Sequence, residues 1–384
     1  MNAHRLIALA TAALVVVAGA VWVSLRGGPE QASRSQAAVL ASLADTIDAV
    51  NEVRLTGSDG SATTLQRRDN GWYVAQRNYP ADSNKLRALL IGLSTLHAIE
   101  EKTSDPARYA VLNVEDPTGP QSHSERIDVV AGARTWSLLL GKAAEPNGSY
   151  VRVAGAPAAL LAQPRIDADP RPARWIESGL LELPAERVQR VAVRTAGSPS
   201  YSLERDRRGA PDLTLHGVPP GRKAASPAVV DAVAGALARL RADDVKPRAP
   251  GPLENASHAT FRTFEGLQVD MDGYREGGSS WVRIDASVDP DTARRFSTAQ
   301  AEAGNGGAGA KSAEGKSGSA GSGDAKSAPV ADPAAEAAAV NARVQGYDFQ
   351  VPAYQYDALY RKLHDLLAPQ AEGSKSSPSK EQKK

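Results

Sequence analysis

Apolar and polar residues alternate along two stretches of the chain in nearly the same order. Val50-Asn51-Glu52-Val53-Arg54-Leu55 matches Val188-Gln189-Arg190-Val191-Ala192-Val193, and Thr64-Leu65-Gln66-Arg67 then matches Ser202-Leu203-Glu204-Arg205 without a gap. A period of two sends successive side chains to opposite faces, so both pairs read as half-buried strands. The period then lengthens. Leu86, Leu89, Leu93 and Leu96 correspond to Val230, Val233, Leu237 and Leu240, spaced three or four apart as on one face of a helix. Asp82 or Ser83 can cap the first helix, and Ser226 followed by Pro227 supplies a cap and a first-turn proline for the second. Ser149-Tyr150-Val151-Arg152-Val153 later returns as Ser280-Trp281-Val282-Arg283-Ile284, with one face expected to be packed and one wet. Self-similarity on this scale decides architecture ahead of local readings. It predicts an α+β fold, a tandem duplicated module of antiparallel strands with one packed helix each over residues 50–154 and 188–285, preceded by one transmembrane helix.

That helix is expected from Leu6 to Leu25, which carries no charge between Arg5 and Arg26 and is long enough, at about 1.5 Å per residue, to span a bilayer core. Trp22 sits where an indole favours the interface. Ala18-Gly19-Ala20 offers the competing reading of a cleaved signal peptide. The short arm before Leu6 stays inside in the simpler topology, with the bulk of the chain exported. No cysteine follows the segment, so a lipid on cysteine there is excluded.

The expected order is an anchor over residues 1–26, a juxtamembrane segment over 27–44, a first repeat over 45–180 and a second over 181–295. A Gly/Ser/Ala/Lys loop over 296–335 interrupts the second repeat, because such composition cannot bury enough apolar surface to offset chain entropy. A closing strand, Gly346 to Pro352, and a helix marked by Ala358, Leu359, Leu363, Leu366 and Leu367 fill 336–368, and 369–384 reads as a disordered tail.

Composition removes several functions. With 45 basic and 44 acidic side chains, net charge is +1, which leaves no global field to hold a polyanion and argues against nucleic acid. The absence of cysteine removes disulfides and thiolate chemistry. The six histidines show no ligand spacing, so neither a metal nor a cofactor is expected. Gly315-Lys316-Ser317 imitates the end of a P-loop but lacks the earlier glycine, the strand and the helix. Asp270 and Asp272 share a strand face without the remaining ligands of a calcium loop. No Gly-x-Ser-x-Gly elbow occurs, so no catalytic residue is assigned. Trp72, Trp136, Trp175 and Trp281 fall on or beside strands and suit core packing first, a stacking platform for sugar or peptide second. Arg77-Asn78-Tyr79-Pro80 occupies a connection, read as a turn first and a recognition loop second.

From Trp72 to Glu101, with Arg77-Asn78-Tyr79-Pro80-Ala81-Asp82, the leucine-rich helix and Glu100-Glu101-Lys102-Thr103, the chain resembles the family called domain of unknown function 4340. Leu140-Gly141-Lys142, Ser149-Tyr150-Val151-Arg152 and Gly346-Tyr347-Asp348-Phe349 are similar as well. In the second repeat Gly217-Val218-Pro219-Pro220 replaces the Arg-Asn-Tyr-Pro string. The resemblance implies a single-pass bacterial inner-membrane protein with a periplasmic bulk. It also implies a partner among ABC-type permeases or gliding-motility-type auxiliary subunits. It carries no catalytic residue. The candidate binding residues are therefore Trp72, Arg77, Asn78, Tyr79, Tyr150, Arg152 and Trp281. An auxiliary or scaffold role in an ABC-type transport assembly is the leading expectation, ahead of a glycan- or peptide-binding module and, third, a hydrolase. Exposed Trp72 or Trp281 would favour the binding module, an exposed apolar patch the assembly partner, and clustered Asp, His and Lys the enzyme.

Overall fold

The computed structural model describes residues 37–117, 122–305 and 332–369. They divide after Glu177 into two units, each built on one antiparallel sheet. The predicted span Leu6–Leu25 lies outside the described residues, as do Ala18-Gly19-Ala20, Gly315-Lys316-Ser317 and the tail from Gln370. Among the described residues no helix is long and apolar enough to cross a membrane.

In the first unit a short helix, α1 (Leu43–Thr46), leads into β1 (Glu52–Gly57) and β2 (Ala62–Arg68). Their turn is set by Asp59, whose carboxylate accepts from the Ser61 amide at 2.8 Å, and by Gly60 at φ +84°. β3 (Gly71–Val74) and β4 (Tyr79–Pro80) follow, then α2 (Ser83–Ser94). Asp82 caps α2 by accepting from the amides of Asn84 and Lys85, both at 3.0 Å. The expected stripe is buried at Leu86, Leu89 and Leu93, with Leu90 added, while Leu96 is buried beyond the helix end. β5 (His97–Thr103) crosses to the far edge. A covering segment with α3 (Tyr109–Leu112) leads to the meander β6 (Glu125–Ala131), β7 (Arg134–Ala144), β8 (Gly148–Val153) and β9 (Ala159–Gln163). The order across the sheet is β4-β3-β2-β1-β6-β7-β8-β9-β5.

The second unit opens on β10 (Gly179–Leu181), β11 (Val188–Arg194), β12 (Tyr201–Glu204) and β13 (Thr214–His216). Helix α4 (Pro227–Ala234) comes next, with Pro227 in its first turn; the Ser226 hydroxyl makes no cap bond. α4 ends early, so Leu237 falls in a 3-10 turn and Leu240 in β14 (Leu240–Arg241), although both are buried as expected. β15 (Asp244–Pro247) takes the far edge before β16 (Ser257–Thr263), β17 (Leu267–Glu276) and β18 (Ser279–Val288). Helices α5 (Pro290–Asn305) and α6 (Pro333–Val344) precede β19 (Tyr347–Val351) and α7 (Ala353–Leu359). The sheet order is β13-β12-β11-β16-β17-β18-β19-β15, and β10 pairs with β14 separately. Apart from β4, the strands of the two main sheets follow the same path.

Further element boundaries differ from expectation for local reasons. Helix reaches into both ends of the predicted 296–335 loop, because Asp289 bonds Thr292 at the start of α5 and Asp332 caps Ala334 with Pro333 in the first turn of α6. The closing helix is broken: α7 stops at Leu359, and Leu363–Leu366 forms a separate 3-10 turn. Helix α6 carries out a task its composition conceals. β19 pairs with β18 only over Ser280–Val282, and further along the same edge the Asn341 carboxamide donates to the Ala286 carbonyl at 2.7 Å and accepts from its amide at 2.9 Å. A side chain thus satisfies an edge that would otherwise invite another strand.

Candidate functional site

Strand alternation puts Val191, Leu203, Phe261, Val269, Val282 and Ile284 of the second sheet into the core. The opposite face is polar. Reading across the strands, Arg194 on β11 stands beside His258, His258 beside Asp272, and Asp272 beside Arg283. Arg283 bonds Asp348 on β19, which stands beside Lys246 on β15. The potentially charged groups therefore alternate in sign from His258 to Lys246, the histidine contributing when protonated.

The centre of this row is tight. Arg283 presents a two-pronged contact to Asp348, Nε to Oδ1 at 2.9 Å and Nη2 to Oδ2 at 3.1 Å. Asp348 is 0% exposed and Arg283 8%. The Tyr274 hydroxyl donates to Asp348 at 2.9 Å, and Arg283 also donates to the carbonyls of Ala249 and Gly251. These bonds to Asp348 hold the guanidinium pKa above its ordinary value, against the opposing effect of burial. Beside it the Lys246 ammonium lies 4.1 Å from the Trp281 ring centre and 5.3 Å from that of Tyr274, and pairs with Glu276. Burial alone would lower the Lys246 pKa; the bonds from Glu276 and Tyr274 outweigh it, and the net shift is upward. Toward the other end, a cavity of about 390 Å³ opens over β13, β12, β11 and β16, bordered by Arg194, Ser202, His216, His258 and Thr260.

The equivalent row of the first sheet runs Thr56, Arg126, Leu139, Arg152, Ala159, Thr103. Arginine remains at the fourth place, but alanine stands where the carboxylate is. Tyr109, Val114 and Ala159 form an apolar cluster here, with Leu112 and Tyr150 packed against it. Arg152 is 4% exposed, lies 4.4 Å from the Tyr109 ring centre, and donates to the carbonyls of Val114 at 2.8 Å and Ala156 at 3.2 Å. Its other partner is Asp116 at 3.0 Å. The expected wet face of β8 is thus covered by the segment before β6, and Arg152 serves that cover.

Of the other expected binding residues, Trp72 is half-buried on β3 and Tyr79 fully buried in β4. Asn78, at φ +49°, accepts from Arg68 at 2.8 Å and makes the turn with half-buried Arg77. Tyr150 belongs to the apolar cluster. Trp281 alone joins the polar row, with its ring already occupied by Lys246. No local sequence pattern marks Arg194, His216, His258, Lys246 or Asp348. The polar period-two pattern Gln268, Asp270, Asp272, Tyr274 was the available signal, but strand neighbours are needed to see what it faces.

A second polar cavity, of about 250 Å³, lies in the first unit and is bordered by His123, Glu125, Ser149, Arg165, Asp167 and Asp169. Burial, reinforced by Asp169, Asp167 and Asp59, pushes the Glu125 carboxyl up to about 7. Among the described residues no group of three or more acidic, histidine or cysteine side chains is arranged to hold a metal ion.

Residues 72–259 match the family model described as domain of unknown function (DUF4340), a span that begins in β3 and ends in β16 and so takes in part of each unit. No curated protein and no solved structure matches the chain.

Proposed function

We propose that this chain, which belongs to the DUF4340 family over residues 72–259, acts by contact as a membrane-anchored auxiliary or scaffold of an ABC-type transport assembly. The supporting observation is the polar face of the second sheet, where the accessible groups Arg194, His258, Asp272 and Lys246 flank the buried Arg283–Asp348 pair. Alternating charges on neighbouring strands discriminate between docking positions, because a partner displaced by one strand meets like charges; such complementarity favours specificity and encounter over raw affinity. In this reading Leu6–Leu25 anchors the chain in a bacterial inner membrane with its bulk in the periplasm. The two units derive from one duplicated module, which their common strand path and the matched positions of Arg152 and Arg283 support. A glycan platform on Trp281 is the weaker alternative, since Lys246 must first leave the ring.

The test is crosslinking in intact membranes, with a photoreactive residue placed in the full chain at Arg190 or Ser287, both exposed on the second unit, and at Arg87 on α2 as a control. The expected products join a permease or auxiliary subunit to positions 190 and 287 and not to 87. Co-purification of such a subunit without crosslinks from either face position would overturn the assignment of the face. Recovery of envelope glycan alone would overturn the assembly role.

A further inference from the structure

Cations in and around the second sheet's polar face are matched with carboxylates: His258 with Asp272, Arg283 with Asp348, Lys246 with Glu276, Arg248 with Asp285, Arg262 with Asp289. Arg190 and Arg194, both on the exposed face of β11, depart from this pattern, and of the two only Arg194 borders the cavity over β11. It begins the cross-strand row, its side chain is exposed, and among the described residues no carboxylate pairs with its guanidinium. The imidazole of His216, on β13, is likewise exposed and unmatched among the described residues. Both border the same cavity of about 390 Å³, whose lining contains no Asp or Glu. His258 borders it too, with Nδ1 engaged by Asp272 of the neighbouring strand, which leaves Nε2 as its free ring nitrogen. Ser200 and Ser202 add hydroxyls.

We propose that this cavity binds a phosphate monoester. One planar carboxylate would be satisfied by the Arg194 fork alone. Donors arriving from β11 and β13, joined by His258 Nε2 when the imidazole is protonated against Asp272, suit a tetrahedral anion, which offers acceptor oxygens in several directions at once. The volume falls in the range of small-ligand sites, enough for the phosphate and a sugar- or glycerol-sized alcohol. The row reinforces the site. Asp272, the nearest acidic group in the row, is held between His258 and Arg283, so its charge is matched before it reaches the cavity. The ligand is separate from the protein partner proposed above, and either can fail without the other.

Calorimetry on the full chain in detergent decides the matter, using inorganic phosphate, glucose 6-phosphate, glucuronate and short-chain phosphatidic acid as probes. Glucose 6-phosphate or phosphatidic acid should bind, and glucuronate should bind at least roughly tenfold more weakly. Arg194→Gln should weaken the phosphate ligand by roughly tenfold or more, as expected for loss of a charge-assisted contact. His216→Asn should weaken it several-fold. Arg275→Gln removes an exposed cation that pairs with Asp357, away from the cavity lining, and should change nothing. Binding of phosphatidic acid over the sugar ester would identify a lipid headgroup as the source, and the reverse a soluble ester. Failure of every phosphate probe to bind, equal binding of glucuronate, or indifference to Arg194→Gln would overturn the proposal.

Discussion

Arg152 and Arg283 occupy the same place in sheets of the same strand order, yet one is buried under an apolar cover and the other in a charged row. Each ties down the chain that precedes an equivalent strand, Arg152 before β6 through Val114 and Arg283 before β16 through Ala249 and Gly251. The difference lies across the strand. Where Arg283 finds Asp348, Arg152 finds Ala159, and Tyr109 and Val114 fill the space. One alanine-for-aspartate difference therefore goes with an apolar cover over one sheet face and, on the other, a buried ion pair flanked by accessible charged groups. Recognition is to be sought on the second.

The largest test of this contrast is Arg283→Met. It strands the fully buried Asp348 with only the Tyr274 hydroxyl and neighbouring cations, and should cost roughly 3–5 kcal/mol in urea unfolding of the second unit. Arg152→Met leaves two carbonyls short of donors but no buried carboxylate, so about 2–3 kcal/mol is expected in the first unit. Equal losses would break the comparison, because they would mean that the missing aspartate makes no difference. Gly141→Ala probes the cover itself. A methyl there would stand 2.2 Å from the Leu112 carbonyl oxygen, so the segment must lift, at about 1–2 kcal/mol, with faster amide exchange at Asn113 and Val114. Unchanged exchange would show that the cover is not seated on β7.

The smallest expected effect is one of pH. The Glu125 carboxyl titrates near 7 when folded, above its ordinary 4.5, so the folded state holds the proton more tightly than the unfolded chain does. Its contribution to stability is complete below about pH 4.5 and is lost as pH rises through 7. Glu125→Gln should therefore be more stable than the parent at pH 8 by on the order of 1 kcal/mol, after discounting for partial exposure, and gain little at pH 4.5. Parallel stability profiles between those limits would remove Glu125 as the cause.

Much of the strand and helix content was legible because it rests on period. Val53 and Leu55, or Val191 and Val193, alternate as buried strand positions do, and Leu86, Leu89 and Leu93 repeat as a helix face does. The carboxylate partner of Arg283 was not legible, since Asp348 lies 65 residues further on and only strand pairing brings it near. For the same reason the sequence places Arg152 in the pattern of a wet strand face, and nothing local announces that residues 109–114 fold over it. Helix α6 escaped because an alanine-rich segment after Gly, Ser and Lys resembles a linker until Asn341 is seen against Ala286.

The distance from Arg283 to Asp348 also sets an order of events on the ribosome. The first sheet has all its strands by Gln163, so it can close while the rest of the chain is still being made. The second waits for β19, and until then β15 has no neighbour, the edge of β18 is bare, and a guanidinium destined for the interior lacks the carboxylate it grips with two nitrogens. Nascent chains halted between Val288 and Tyr347 would display a long unpaired strand edge, the kind of surface that recruits chaperones or other copies of itself. Residues 347–351 are short, but they act as the clasp whose arrival ends that exposure.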